Sequence, residues 1–194
     1  MDGAPPVARA GDPDCAALAN RLHKNGRHWG KWARRHGISC YRVYDRDIPE
    51  FALAVDRYGD WVHAQRYAER WASVTDAAAE ARHDDAIAAA IAEGLDSDPA
   101  RVVLKTRARQ RGSAQYTATG ASGEPMIVTE GGLRFEVNLG AYLDTGLFLD
   151  HRDTRALVRS CAAGRHVLNL FAYTGSFSVY AAAGGAARSL TVDM

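Results

Sequence analysis

The sequence predicts an α/β protein in which an α+β region is followed by the start of a doubly wound α/β domain. Between residues 40 and 140, short runs rich in Val, Tyr and Phe are separated by turn residues, which is typical of strands and hairpins. After residue 138, apolar runs alternate with helical segments through short turns, the pattern of a parallel β-α-β unit. We therefore predict a tail or linker over 1–14, an α+β accessory domain over 15–140 and an α/β domain over 141–194.

The composition is that of a globular protein with almost no net charge. The 194 residues are 47% hydrophobic and 24% charged, and the formal net charge is +1. A global electrostatic field therefore does not explain binding to nucleic acid or membrane, and only local patches are left for that role. No apolar run approaches the roughly 18 residues of a membrane span, and the first residues lack the apolar segment of a signal peptide. We expect a cytoplasmic protein without membrane contact.

The cysteines argue for a reducing compartment and against a zinc site. Cys15, Cys40 and Cys161 are odd in number and far apart in the sequence. None belongs to a CxxC motif or to a Cys/His pair at metal-ligand spacing. We therefore predict no metal, and we interpret Cys161 as a buried structural thiol.

The first element is a strongly basic helix. Residues 20–36 contain six Lys or Arg and no acid, and Leu22, Trp29 and Trp32 supply an apolar side. The helix is predicted to end near Gly37. The two tryptophans could stack on bases, but core anchors of an amphipathic helix are the favoured interpretation.

A β-rich stretch follows the basic helix. Residues 40–45, 51–59 and 61–67 predict three strands, because each run is rich in β-branched and aromatic residues. The turn over residues 58–60 contains glycine, so the last two strands are predicted to form a hairpin.

A second helix and three further strands complete the predicted accessory domain. The Ala-rich run 73–93 is predicted to be helical, with apolar residues every fourth position on its buried face. Residues 101–106 predict a strand, which is followed by a basic loop. The segments 126–130 and 133–139 flank a Gly-Gly pair, which is a strong hairpin signal.

The last part of the chain predicts a β-α-β unit. Residues 150–162 and 176–183 have helical patterns, whereas 166–171 and 189–193 are continuous apolar runs. Continuous apolar runs are typical of parallel strands that are buried on both faces. We therefore expect two buried parallel strands joined by a short helix.

The loop between these two strands is the strongest functional signal. The strand over 166–171 leads directly into Gly175 and then into a helix, and Asp193 ends the next strand. In such units a ligand binds beyond the carboxyl ends of the strands, where an acidic side chain accepts hydrogen bonds from ribose hydroxyls. The alternative is a tight structural turn with an Asp that caps the next segment. GxGxxG and GxxxxGK[ST] are absent, which favours S-adenosylmethionine over NAD or ATP.

The segment LNLFAYTGSFSVYAAAGGAARSLTVDM resembles the cofactor-binding motif of class I S-adenosylmethionine-dependent methyltransferases, which have a Rossmann-like fold. DTGLFLDHRDTR resembles the segment that precedes this motif in bacterial 23S ribosomal RNA methyltransferases. The run from residue 20 to 68 and the segment LKTRARQRG are similar to the K half of the RlmK/L family. The resemblance covers about residues 18 to 194 and implies guanine-N7 methylation of 23S ribosomal RNA.

The resemblance also implies roles for individual residues in binding S-adenosylmethionine. Asp193 would hold the ribose, and a lid-like segment over residues 148–152 would cover the same site. Related enzymes often have Gln at the position of His151, for which capping of a helix start is the alternative role. The complete set of implied cofactor residues is Phe148, Asp150, His151, Arg152, Asn169, Phe171, Thr174, Gly175 and Asp193.

The resemblance implies further strands and a target-base motif after Met194. On this basis we expect the chain to be a fragment that is covalently continuous with further methyltransferase sequence. Because a unit of two parallel strands does not cover both of its faces, we also expect the piece to be catalytically inert by itself, with no identifiable catalytic residue.

Two acid-free basic runs are candidates for binding 23S ribosomal RNA. The first is the basic helix, whose cations recur every three or four residues and so gather along one side. The second is the strand and loop that start at Arg101. A solubilising surface is the alternative for both runs. The candidate RNA-binding residues are Arg21, Lys24, Arg27, Lys31, Arg34, Arg35, Lys105, Arg107, Arg109 and Arg111.

Two other functional classes remain open at the level of sequence. The chain could be an RNA-binding module whose α/β part is structural, or it could belong to a nucleotide-dependent oxidoreductase. The absence of GxGxxG counts against the oxidoreductase. The absence of a Ser/His/Asp arrangement does not count against methylation, since guanine N7 needs no general base.

Overall fold

The computed structural model describes residues 15–67, 77–107, 123–142 and 144–193. The chain starts with helix α1 (Ala16–Arg35), which is followed by strands β1 (Cys40–Asp45), β2 (Leu53–Tyr58) and β3 (Trp61–Tyr67). These elements match the predicted basic helix and the three predicted strands. The predicted tail over 1–14 and the predicted helix start at 73 lie outside the described residues.

Helix α1 is amphipathic. Leu18 and Leu22 are fully buried, whereas the basic side chains of the helix are exposed. The helix ends in a Schellman motif, in which the Ile38 N–H donates to the Ala33 carbonyl oxygen at 2.9 Å. None of the helices in the described ranges is long and apolar enough to cross a membrane.

The first sheet has four strands in the order β1-β2-β3-β4. β1, β2 and β3 pair antiparallel, with Tyr58 opposite Trp61 in the predicted hairpin. β4 (Val102–Arg107) lies parallel to β3, and α2 (Ala77–Gly94) connects the two. Helices α1 and α2 cover the sheet, so one apolar core fills the space between helices and strands.

A close contact between α1 and α2 requires glycine at position 94. A Cβ atom at Gly94 would lie 2.6 Å from the backbone carbonyl oxygen of Ala19 and 2.9 Å from Cβ of Leu22. Neither atom can move away by a side-chain rotation, because one is a backbone atom and the other is a Cβ, whose position the backbone fixes. The two helices can therefore approach this closely only where the side chain is absent.

The predicted Gly-Gly hairpin forms and carries a second core. β5 (Met126–Glu130) and β6 (Leu133–Val137) pair antiparallel, with Glu130 opposite Leu133. Val128 and Phe135 of the hairpin pack with Tyr58 of β2 and with Tyr180 further along the chain. This second core therefore joins parts of the chain on both sides of residue 140, where the sequence predicts a domain boundary.

The C-terminal part forms the predicted parallel β-α-β unit. A short 3-10 turn (Leu149–His151) leads into α3 (Arg152–Cys161), then β7 (His166–Leu170), α4 (Ser176–Ala183) and β8 (Arg188–Val192). β7 and β8 are parallel, with Leu168 opposite Leu190. The mixed α/β architecture agrees with the fold class predicted from the sequence.

Three expectations about burial are wrong. β7 and β8 are not buried strands, since Leu168 is 59% and Leu190 is 55% exposed. In the described part of the chain, these strands pair only with each other, and the helices leave one face of the pair open. Trp29 is 41% exposed, although its spacing places it on the same stripe of α1 as the buried Leu18 and Leu22. Cys161 is exposed at the end of α3.

We predict that Gly94→Ala destabilises the protein by about 1–3 kcal/mol, the usual penalty for overpacking a tight contact. Urea unfolding followed by circular dichroism measures this change. Ala89→Ser is the matched control, because Ala89 is an exposed position of the same helix. It should change the free energy of unfolding by less than about 0.5 kcal/mol. Equal effects of the two substitutions would contradict the close contact.

Candidate functional site

The loop between β7 and α4 has an unusual backbone. Phe171, Tyr173 and Gly175 have φ angles of +58°, +52° and +76°, all in the left-handed region. The Gly175 N–H donates to the Ala172 carbonyl oxygen at 2.8 Å, which closes the turn. Only glycine adopts such an angle without strain, so Gly175 is suited to the point where the strand passes into the helix. The turn leaves the Phe171 side chain 85% exposed.

The end of β8 is joined to this loop. Because β7 and β8 are parallel, their carboxyl ends lie at the same edge of the sheet. The Tyr173 N–H donates to the Asp193 carboxylate, and the Ala172 N–H donates to the Val192 carbonyl oxygen at 3.2 Å. The Asp193 carboxylate is therefore held beside the loop, at the exposed tip of the two strands.

The segment 144–151 lies against the same loop. The Thr174 hydroxyl donates to the Gly146 carbonyl oxygen at 2.7 Å. The Phe148 ring lies 5.1 Å from the Tyr173 ring between centroids, and the His151 ring lies 5.9 Å from the Phe177 ring. Residues that are more than twenty positions apart are thus assembled around one loop.

The residues at this edge fit an adenosine-containing cofactor. The Asp193 carboxylate is an acceptor, and two ribose hydroxyls are donors, so their hydrogen-bonding chemistry is complementary. Each carboxylate oxygen accepts more than one hydrogen bond, so the bond from Tyr173 does not exhaust the Asp193 side chain. The exposed rings of Phe171 and Tyr173 offer apolar surface at the same edge.

Comparison with known proteins identifies the family. The family described as S-adenosylmethionine-dependent methyltransferase matches residues 72–194. The chain belongs to the S-adenosylmethionine-dependent methyltransferases. This membership confirms the resemblance and the cofactor that the sequence predicts, and it disfavours the nucleotide-dependent oxidoreductase.

Similar proteins are named as ribosomal RNA methyltransferases. Over 180 residues, this methyltransferase chain is 56% identical to Ribosomal RNA large subunit methyltransferase K/L of Methylococcus capsulatus, covering 91% of the chain and 24% of that protein. It is 50% identical over 181 residues to Ribosomal RNA large subunit methyltransferase K of Neisseria meningitidis, covering 93% of the chain and 51% of that protein. The chain thus spans about a quarter of the length of the first relative and about half of the length of the second.

A solved structure supports the fold and the cofactor. A putative methyltransferase crystallised in complex with SAH superposes on the methyltransferase chain with a TM-score of 0.70 and 27% sequence identity. The superposition covers 95% of this chain and 46% of that one. A putative SAM-dependent methyltransferase from Streptococcus mutans gives a TM-score of 0.69 at 26% identity, with the same coverage.

Besides Thr174 and Asp193, two more of the predicted cofactor residues have side chains that hydrogen-bond within the protein. The Asn169 amide donates to the Ser178 hydroxyl of α4 at 2.9 Å. The Arg152 guanidinium donates to Glu130 at 2.7 Å and to the Cys40 carbonyl oxygen. The predicted residues that lie in or against the loop are Phe148, His151, Phe171, Thr174, Gly175 and Asp193. The cofactor roles of all nine residues stay predictions.

A buried ionic cluster next to the site has no signal in the sequence. Glu130 and Arg155 are fully buried, and the Arg155 guanidinium contacts the Glu130 carboxylate at 2.6 Å. The Tyr180 hydroxyl donates to the same carboxylate at 3.0 Å. Burial, and next the negative charge of Glu130, raise the pKa of Tyr180 to about 12. Sequence reasoning missed this cluster because its members are 25 or more positions apart.

The first basic run forms an exposed surface on α1. All six of its predicted RNA-binding residues are exposed, and Arg21 lies 3.8 Å from the Asp47 carboxylate. In the second run, the Lys105 ammonium donates to the Tyr142 carbonyl oxygen, and burial lowers its pKa. The Arg107 side chain, Arg109 and Arg111 lie outside the described residues.

A cavity of about 820 Å³ lies between α1, the first sheet and the segment 144–150. His63 of β3 lines it and is only 1% exposed. Burial, and next the positive charges of Lys105 and Arg42, lower the pKa of His63 to about 3. His63 is therefore neutral at physiological pH, and its Nε2 atom has no hydrogen-bond partner among the described residues.

We predict that the buried neutral His63 makes the protein less stable in acid. The unfolded chain binds a proton at His63 near pH 6.5, whereas the folded protein binds it only near pH 3. The contribution of neutral His63 to the free energy of unfolding is fully present above pH 6.5. It falls with the pH, and about 2 kcal/mol is lost at pH 5. Urea unfolding at pH 7 and pH 5 measures the loss. His63→Gln should reduce the difference between the two pH values, and an unchanged difference would contradict the prediction.

Proposed function

We propose that this chain contributes the cofactor site and an RNA-binding surface to an enzyme that methylates a guanine of large-subunit ribosomal RNA at N7. The observation that carries the proposal is the loop at the tips of β7 and β8, where Asp193 and the segment 144–151 meet. The names of the relatives support ribosomal RNA as the substrate. Such a substrate would place the protein in the cytoplasm.

In this proposal the loop and Asp193 bind S-adenosylmethionine. Asp193 accepts hydrogen bonds from the ribose hydroxyls, and Thr174 and Gly175 line the turn beside it. Phe148, whose ring lies 5.1 Å from that of Tyr173, helps to exclude water from this edge. Bound S-adenosylmethionine supplies a methyl group on a positively charged sulfur, which makes that carbon electrophilic.

The protein needs no general base for methylation at N7. The N7 lone pair of guanine is free at neutral pH, so no proton has to be removed before it reacts. Holding the two reactants close together and aligned then provides most of the acceleration. The proposed roles of the chain are therefore to bind, orient and exclude water.

The basic surface of α1 is proposed to bind phosphates of the RNA. Its cations are exposed and lie on one side of the helix, away from the buried leucines. Lys105, Arg107, Arg109 and Arg111 are proposed as a second contact. The accessory domain over 15–140 would thus bring the RNA to the cofactor site.

Methyl transfer tests the proposed function directly. A protein that carries this chain is incubated with S-adenosylmethionine, labelled with tritium in the methyl group, and bacterial 23S ribosomal RNA. Label that appears in the RNA as 7-methylguanosine supports the proposal. RNA binding without any binding of SAH would instead favour an RNA-binding module without catalysis.

We predict that Asp193→Asn lowers the affinity for SAH by about 10- to 100-fold, because the amide is a weaker acceptor for the ribose hydroxyls than the carboxylate. The asparagine oxygen can still accept from the Tyr173 N–H, so the loop should keep its conformation. Isothermal titration calorimetry measures the affinity. Asp153→Asn, at an exposed position of α3, is the control, and an equal affinity of both variants would reject the ribose contact.

We also predict that neutralising one side of α1 weakens RNA binding and its salt dependence. In the triple variant Lys24→Gln, Arg27→Gln and Lys31→Gln, the slope of log affinity against log salt should fall by about 2 to 3. Filter binding at several salt concentrations measures the slope. The control removes three exposed cations elsewhere, at Arg82, Arg165 and Arg188. An equal loss of slope in both variants would reject α1 as the specific surface.

A further inference from the structure

We propose that Arg155 and its buried partner Glu130 are positioning residues of the cofactor site, which act by holding Phe148 against the loop between β7 and α4. The inference rests on the proposed function, because it assumes that S-adenosylmethionine binds at this loop. It adds that tight binding of the cofactor depends on a buried ion pair outside the loop. Neither residue is among the cofactor residues that the sequence predicts.

The Arg155 guanidinium connects Glu130 to Phe148 through different nitrogen atoms. Its Nε atom donates to Oε1 of the Glu130 carboxylate at 2.8 Å, and its Nη1 atom donates to the Phe148 carbonyl oxygen at 2.8 Å. Its Nη2 atom contacts the same Glu130 oxygen at 2.6 Å. A guanidinium group is planar, and its donors point in fixed directions. The position of the carboxylate therefore determines where the Phe148 carbonyl oxygen is held.

The Glu130 carboxylate is anchored by elements outside the segment 144–151. Glu130 is the last residue of β5. The Tyr180 hydroxyl of α4 donates to Oε1 at 3.0 Å, and Nε of Arg152 in α3 donates to Oε2 at 2.7 Å. These bonds from two helices restrict the orientation of the carboxylate, and Arg155 transmits that orientation to the segment.

A line of contacts continues from Phe148 to the carboxylate that is proposed to bind the ribose. The Phe148 ring lies 5.1 Å from the Tyr173 ring between centroids, and the Tyr173 N–H donates to the Asp193 carboxylate. The Phe148 side chain is 44% exposed, and the residue lies outside the helices and strands. Packing therefore fixes Phe148 only in part, so its position depends on the bond that its carbonyl oxygen accepts from Arg155.

The segment is attached to the loop at a second point. The Thr174 hydroxyl donates to the Gly146 carbonyl oxygen at 2.7 Å. This bond joins the segment to the loop, whereas the bond from Arg155 joins it to the buried ion pair. Without Arg155 the segment would keep the first attachment and lose the second. The expected result is a looser segment in a folded protein.

Stability alone does not explain this ion pair. Glu130 and Arg155 are both fully buried, so both lose their hydration when the chain folds. That loss offsets much of the attraction between the two charges, and apolar side chains of similar volume often give an equally stable protein. Apolar side chains do not donate to the Phe148 carbonyl oxygen. The pair is therefore better explained by the geometry that it imposes on the segment.

Release of the segment should weaken cofactor binding without abolishing it. Without the bond from Arg155, the segment 144–151 is expected to spend part of its time away from the loop. The observed affinity falls in proportion to the fraction of molecules in the binding-competent arrangement, so a fraction of about one tenth gives a tenfold loss.

Isothermal titration calorimetry with SAH tests the proposal on a protein that carries this chain. Arg155→Lys keeps a positive charge beside Glu130, but its single nitrogen does not reproduce the guanidinium fork. We expect this variant to bind SAH about tenfold more weakly. An unchanged affinity would overturn the proposal.

Arg159→Lys is the matched control for this substitution. Arg159 lies one turn further along α3 and donates to the Gly131 carbonyl oxygen of the hairpin at 2.8 Å, not to the segment. The control variant should change the affinity for SAH by less than about twofold. Equal losses in Arg155→Lys and Arg159→Lys would overturn the specific role of Arg155.

Two further variants separate loss of stability from loss of position. Gly94→Ala strains the contact between α1 and α2 and should lower the midpoint of urea unfolding without changing the affinity for SAH. Glu130→Gln combined with Arg155→Met removes both charges together, so neither is left buried without its partner. This double variant should keep the circular dichroism spectrum of the folded protein and bind SAH about tenfold more weakly. An affinity that falls in step with stability in all variants would make the pair only structural and overturn the proposal.

A double-mutant cycle tests whether Arg155 acts through Phe148. Phe148→Ala removes the ring that contacts Tyr173 and should itself weaken SAH binding. In that background, Arg155→Lys should weaken binding by less than about threefold instead of tenfold, because the residue that it positions has already lost its contact. Losses that multiply in full would overturn the positioning role.

Asp193→Asn distinguishes failure of this inference from failure of the proposed function. Weaker SAH binding in Asp193→Asn but not in Arg155→Lys would leave the proposed cofactor site and overturn the positioning role. Weaker binding in Arg155→Lys but not in Asp193→Asn would support the positioning role and overturn the ribose contact. Unchanged binding in both variants would overturn both proposals.

Discussion

The structure depends on one buried carboxylate. Glu130 ends the first strand of the hairpin and has no exposure to solvent, yet it contacts Arg152, Arg155 and Tyr180. Two guanidinium groups and a hydroxyl satisfy its oxygens, which compensates for the loss of hydration. If Glu130 were removed, the fully buried Arg155 would lose its carboxylate partner. Glu130 therefore joins the hairpin to α3 and α4 in a single arrangement.

This cluster also fixes the segment 144–151, which lies against the loop between β7 and α4. The Arg155 guanidinium donates to the Phe148 carbonyl oxygen at 2.8 Å, and Arg152 reaches Cys40 in β1. The segment 144–151 is thus held from one side by buried charges and from the other by the loop at Thr174. These bonds fix the position of the segment 144–151 relative to the loop between β7 and α4.

Charge is separated locally in a chain that is almost neutral overall. The exposed side of α1 is basic, whereas most of the charged residues that line the cavity next to it are aspartates. The small net charge of +1 is therefore a sum over surfaces of opposite charge, and it says little about either surface.

The sequence predicted what depends on local pattern and missed what depends on distant contacts. The bounds of β1 and α4 agree with the predicted 40–45 and 176–183, because strand and helix periods are visible within a few residues. Trp29 has the spacing of a core residue, but whether a neighbour covers it depends on segments that lie more than a hundred positions away. The cavity is formed by α1, the first sheet and the segment 144–150, and the ionic cluster is formed by β5, α3 and α4. No continuous stretch of the sequence contains either of them. Binding sites at junctions of this kind can be found only when the packing between elements is known, because packing decides which polar groups are left without a partner.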